Sequence, residues 1–505
     1  MKKASDKLFQ LINSLTKQEK RYFKINSGRH KKNYMKLFDA VAKQEKYDEM
    51  AIRALFRKEP FIKRLDAVKD YLYEMVLKSL DAYHTENSIN ARLKKQLHCV
   101  EILYKKGLYK QCSELLMRAK KITLSYEKQT ELLEILEWER QLLRVTLNIK
   151  TIESELYKVF EYEQAAIEKY KNLSEYTHIA DKMFLRLRKG ERQKKHAFKE
   201  YATIIAHPLF KSEKKALSFA AKMHFYRIQT AYYFAVADHK NGYRYAKKLL
   251  ELFELYPNQT ILRQKDYALA LFNFLVGQRA LRKTAAFFTT LNKIRSMPVK
   301  HVNLRADIFI FTNDLEFVMY RDYGQYYKGY LKIPDVEKGL KQFDAQIRKD
   351  KRLNLYYSIF LFCFGTEKYN TALTWMNKIL NDTNTEIMFT QHCFARITNL
   401  ILHYEMGNMD LLEYLVKSTY RFLHKRNALH KFETCVLDFI RKKLVMINSQ
   451  QDLIVAFKEL KTDLQEITKN PFEERALVYF DFISWLESKI ESRSFAEIVR
   501  ENAKQ

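Results

Sequence analysis

The chain has 505 residues, 47% of them apolar and 14% aromatic, with only 10 Gly and 6 Pro. Average shares near 7% and 5% would supply several times as many turn residues, so a turn-rich β architecture is excluded and an all-α composition is implied. Ninety Lys and Arg against sixty Asp and Glu give a formal charge of +30, a field that favours acidic partners without specifying one.

The length exceeds what one compact core sustains, so several domains or a stacked array are expected. Residues 1–86 read as a first, basic helical unit. In "LTKQEKRYF", Thr16 and Glu19 have capping-box spacing, which predicts a helix that ends near Gly28. Further helices are predicted over about 31–44, 48–57 and 61–86. The last carries Leu65, Val68, Leu72, Met75, Val76, Leu80 and Tyr83 on one stripe. This unit holds 20 Lys/Arg against 10 Asp/Glu in its first 80 residues.

From about 88 onward, helices of 15 to 25 residues alternate with short joints. Gly107-Leu-Tyr109 leads to Cys112, Leu116 and Ala119; Gly242-Tyr243 leads to Ala246, Leu250 and Phe253; Gly365 leads to Tyr369, Ala372, Met376 and Ile379. Gly277 and Gly407 mark weaker joints. In each of the first three, an aromatic opens the second helix and a small residue three later permits close approach of two helix backbones. The joint resembles that of the tetratricopeptide repeat (TPR), whose two helices turn at a Gly-x-Tyr-x-x-Ala corner. Corners marked by Ala246, Ala285, Ala372 and Leu411 are separated by about 39, 87 and 39 residues, beyond the 34 of an ideal repeat. No Trp-Leu-Gly signature occurs. The resemblance implies a TPR-like α-solenoid of antiparallel helix pairs over 87–470, closed by C-terminal capping helices over 471–505. Asn470-Pro471 and the capping-box pair Ser494/Glu497 predict helix starts there.

Chemistry is sparse in the sequence. Ten scattered glycines build no phosphate loop, no metal-ligand spacing occurs, and no catalytic residue or cofactor site is nominated. Five cysteines without paired spacing point to a reducing, cytoplasmic setting. The start "MKKASDKLFQLINSLTK" lacks a signal-like apolar run, and the longest apolar stretch, "YYSIFLFCFG", is too short to span a membrane. The acidic set Glu131, Glu134, Glu137 and Glu139 reads as a face that complements a basic neighbour.

Two basic runs remain as candidate anion or partner sites. "RYFKINSGRHKKNYMKLF" interleaves Arg21, Lys24, Arg29, Lys31 and Lys32 with Tyr22, Phe23, Tyr34 and Phe38. "FLRLRKGERQKKHAFK" carries Arg186, Arg188, Lys189, Arg192, Lys194 and Lys195. His424 and His430, among Arg421, Lys425, Arg426 and Lys431, form a third basic neighbourhood. The expectation is a non-enzymatic helical-repeat scaffold that binds an acidic or phosphorylated protein segment. The alternative is a nucleic-acid-associated regulator, with residues 1–86 on phosphates and the aromatic rings stacking on bases.

Overall fold

The computed structural model describes residues 6–26, 32–85, 88–146, 150–190, 201–382, 386, 388–444, 447 and 449–503. Among them every regular element is helical and none is a strand. The chain divides into two compact units, Met1–Asn172 and Leu173–Gln505.

The first unit begins with α1 (Lys7–Ser14), a helix that the sequence reading lacks, then α2 (Lys17–Asn26), α3 (Lys32–Ala42), α4 (Glu49–Leu55) and α5 (Leu65–Thr85). The capping box that starts α2 is formed: the Glu19 N–H donates to the Thr16 hydroxyl at 3.2 Å, and the Thr16 N–H donates to the Glu19 carboxylate at 2.7 Å. Leu65, Leu72 and Val76 of α5 are buried with Leu8, Ile12, Phe23, Leu37 and Phe38 in one core. Then follow α6 (Ile89–Lys105), α7 (Tyr109–Ser125), α8 (Gln129–Thr146) and the long α9 (Ile152–Gly190), the last reaching past the boundary between the units. Of the acidic face of α8, Glu139 pairs with Lys120 of α7 at 2.6 Å, whereas Glu137 pairs within its own helix with Arg140, which also reaches Glu163 of α9.

The second unit continues with α10 (Phe219–Ala235), α11 (His239–Leu255), α12 (Pro257–Leu262), α13 (Gln264–Ala280), α14 (Thr284–Arg295), α15 (Val302–Asp322), α16 (Tyr326–Leu331) and α17 (Ile333–Gln342). It ends with α18 (Lys349–Gly365), α19 (Tyr369–Leu380), α20 (Phe389–Glu405), α21 (Met409–His424), α22 (Lys431–Phe439), α23 (Gln450–Thr468), α24 (Pro471–Glu474), α25 (Ala476–Tyr479), α26 (Phe482–Glu491) and α27 (Phe495–Asn502). From α13 to α21 each longer helix packs on its neighbour in sequence.

One corner recurs. A residue in the left-handed region closes the first helix of a pair at Ala237, Arg282, Gly324, Glu367 and Gly407, so successive corners stand 45, 42, 43 and 40 residues apart. At each, the N–H of the following residue donates five residues back, as in Lys368 to the Cys363 carbonyl at 2.8 Å and Asn408 to the His403 carbonyl at 3.0 Å. The left-handed residue itself donates to the carbonyl three before it. This is the Schellman arrangement, which satisfies carbonyls the helix end would otherwise orphan. The residues five, nine and twelve places beyond each corner are buried: Gly242, Ala246 and Leu249 after the first, for example, and Ala372, Met376 and Ile379 after the fourth. Gly107 in the first unit opens the same register, with Cys112, Leu116 and Ala119 buried.

These positions correct the sequence reading in part. Gly107 and Gly407 are corners, and Gly365 lies two residues before one. Gly242 and Gly277 are not corners: both lie inside helices, where a Cβ would stand 2.3 Å from the Phe234 ring and 3.1 Å from the Tyr243 Cα. They serve close approach rather than a turn. The 87-residue gap held an unrecognised corner at Gly324, so it is two intervals of the common length.

The C-terminal helices lie against the corner ends. The Gly324 turn abuts the Arg500 backbone, Phe495 packs on Tyr326 and Phe364, and the Trp485 indole donates to Glu405 at 2.6 Å. Both predicted starts are capped. The Asn470 side chain accepts from the Phe472 N–H, and Ser494 and Glu497 form their capping box.

Candidate anion-binding surface

In the first unit, Arg21 and Lys24 are exposed on α2. Lys24 is engaged within the fold, 2.6 Å from Asp39 and 5.9 Å from the centre of the Phe38 ring. Lys32 opens α3, but its side chain, like Arg29 and Lys31, lies outside the described residues. The interleaved rings pack inward: Phe23 stands 4.7 Å from Phe38, Tyr22 5.0 Å from Tyr83 and Tyr34 4.8 Å from Tyr71. In the second unit, Arg186 is exposed on α9. Arg188 and Lys189 continue that helix with side chains outside the described residues, as are Arg192, Lys194 and Lys195 entirely.

The second unit carries other cations, several of them at helix ends remote from the corners. The start of α18 and the end of α19 border a cleft of about 400 Å³ lined by Lys349, Arg352, Tyr356, Lys378 and Asp382. Lys349 reaches Asp382 at 2.6 Å, and Arg352 reaches Asp344 at 2.9 Å. The Lys378 ammonium sits 3.5 Å from the Trp375 ring centre. On the next pair, Arg396 of α20 and Arg426, just past α21, both stand over Phe422. A smaller groove of about 150 Å³ between α21 and α22 is lined by Lys417, Tyr420, Arg421, Asp438 and Arg441, among others.

No family model, curated protein or solved structure matches the chain. The site therefore rests on geometry. Burial pushes the thiols of Cys363 and Cys393 up to about 12 and that of Cys435 to about 11, so none is a thiolate at neutral pH. Among the described residues no three His, Cys, Asp or Glu side chains converge as metal ligands, and no helix is long and apolar enough to cross a membrane. His430 does not join the cationic set. Burial, with Arg475 nearby, lowers its pKa, and its ring packs on Phe472 at 4.8 Å.

Sequence reasoning missed Lys349, Arg352, Lys378 and Arg396. One signal was present: "RKDKRLNLYY" at 348–357 puts Lys349, Lys351 and Arg352 in the first turn of a helix, where the macrodipole disfavours cations. Arg396 carried no such signal, since its partners on α21 come from a separate helix.

Proposed function

We propose that the chain is a non-enzymatic, cytoplasmic, TPR-like scaffold, a solenoid of antiparallel helix pairs that holds an acidic or phosphorylated segment of another protein. The observation that carries this reading is the disposition of the two ends of the pairs. The corner ends of α15, α18 and α20 meet the chain's own C-terminal helices. The opposite ends carry Lys349, Arg352 and Lys378 on one pair; on the next, Arg426 follows the far end of α21, and Arg396, midway along α20, shares the Phe422 ring with it. Stacked pairs present such ends in a row, a surface suited to an extended ligand, and the sign of the charge selects an acidic one. The nucleic-acid alternative has less support, because, of the rings it needs for stacking, Phe23 and Phe38 belong to the core of the first unit and Tyr34 packs against it.

Fluorescence-anisotropy titration of the full chain tests the proposal, using a short Asp/Glu-rich peptide, its central-phosphoserine form and a short single-stranded RNA. Peptide binding that weakens with salt, and falls several-fold in a Lys349→Gln/Lys378→Gln variant, is the expected result. If neither peptide binds, or the RNA binds more tightly than both, the scaffold reading fails.

A further inference from the structure

Nine buried side-chain polar atoms among the described residues lack a hydrogen-bond partner, and five of them lie on α20: Gln391 Oε1, both ring nitrogens of His392, Arg396 Nε and Asn399 Oδ1. His392, Arg396 and Asn399 follow one another at steps of four and three, so they share a stripe of the helix. His392 is fully buried and Asn399 is 5% exposed. A buried polar atom left without a partner costs roughly as much as a lost hydrogen bond, so such a concentration on one stripe requires a reason.

Arg396 supplies it. Its guanidinium carbon stands 4.0 Å from the centre of the Phe422 ring, and that of Arg426 stands 4.1 Å from the same centre. The two cationic groups are therefore no more than about 8 Å apart. Arg396 is half-buried and Arg426 exposed. Neither pairs with a carboxylate among the described residues, whereas Arg53, Arg140, Arg227, Arg279 and Arg295 each do. Burial, reinforced by the charge of Arg426, lowers the pKa of Arg396. Two like charges are held on one ring, and among the described residues no carboxylate pairs with either.

We infer that Arg396 and Arg426, spaced by Phe422, form a subsite for a phosphoryl group carried on a side chain of the bound segment. The inference rests on the scaffold reading and names the chemistry of one of its contacts. A phosphoryl dianion matches the two positive charges, and its three terminal oxygens can accept from both guanidinium forks at once, which a single carboxylate does less well.

The test uses the full chain as wild type, as Arg426→Gln and as Arg348→Gln, an arginine that already has Asp350 at 2.8 Å. Thermal unfolding is followed in inorganic phosphate and in chloride of equal ionic strength. Phosphate raises the Tm of wild type and of Arg348→Gln above the chloride value. Arg426→Gln loses that rise and in chloride is no less stable than wild type. In anisotropy titrations, Arg426→Gln weakens the phosphoserine peptide by about tenfold or more and leaves the serine form unchanged. A purely packing role for Arg426 gives the opposite pattern, a lower Tm in chloride with the phosphate response intact, and overturns the inference. If the phosphate response needs Arg426 but no peptide binds, the subsite stands and the scaffold reading falls. If peptides bind with a phosphate preference that ignores Arg426, the scaffold reading stands and the subsite falls.

Discussion

Lys69 and Arg396 are both cations withdrawn from water, one in each unit, and the fold treats them differently. The Lys69 side chain is 6% exposed and donates to Glu49 at 2.8 Å and to Asp66 at 2.9 Å, with the Tyr47 hydroxyl at 3.4 Å. Burial alone would depress its ammonium, but the hydrogen bonds to Glu49 and Asp66 hold its pKa above the ordinary lysine range. Arg396 has a second arginine and an aromatic ring instead of acids. A buried charge compensated as Lys69 is belongs to the fold's own structure, whereas an uncompensated one is available to an outside anion. Glu316 extends the first class, with Arg295 at 2.7 Å and the Tyr320 hydroxyl at 2.7 Å.

The largest effect expected from this contrast is at Lys69. Lys69→Met leaves Glu49 half-committed to a missing partner and should cost about 2–4 kcal/mol, read from denaturant unfolding. Its pH dependence has a definite sign. The Lys69 hydrogen bond, aided by Arg53, lowers the Glu49 pKa from 4.5 to about 2. The folded value is below the unfolded one, so the stabilisation is complete above about pH 5 and is lost as pH falls through 4.5 towards 2. In Lys69→Met that acid slope flattens. An unchanged slope would mean that the pair does not hold Glu49 ionised.

The corners give the next effects and show how much of the fold the sequence disclosed. Gly107 and Gly407 were legible because glycine is the residue that a left-handed corner ordinarily requires. Ala237, Arg282 and Glu367 were not, since they adopt the same conformation against a steric cost that the corner's two backbone hydrogen bonds help to offset. Gly242 and Gly277 misled for the converse reason, as their missing side chains serve helix contact. The candidate site was less legible still. Arg426 stood out in a basic run, but Arg396, thirty residues earlier and in a different helix, becomes its partner only when α20 and α21 pack.

Gly365→Ala tests the packing class, because the new Cβ would meet the Tyr326 ring at 2.2 Å. A loss of about 1–3 kcal/mol is expected in denaturant unfolding, as for overpacking. Gly107→Ala tests the conformational class. A Cβ there meets nothing within 4 Å, so only the left-handed backbone at φ +73° is penalised, by about 1 kcal/mol. If Gly107→Ala costs more than Gly365→Ala, the division of glycines into turn formers and spacers is wrong. Smallest of all is Arg396→Met, which removes an uncompensated charge and retains an apolar contact with Phe422. Its stability should stay within about 1 kcal/mol of wild type, far from the cost at Lys69.

The most direct measurement is a crystal structure of the full chain with the phosphoserine peptide bound. The account predicts phosphoryl oxygens at about 2.7–2.9 Å from nitrogens of both Arg396 and Arg426, with the peptide running towards Lys349 and Lys378. A peptide seated elsewhere, or a carboxylate of the chain itself closing on the two guanidiniums, would contradict it.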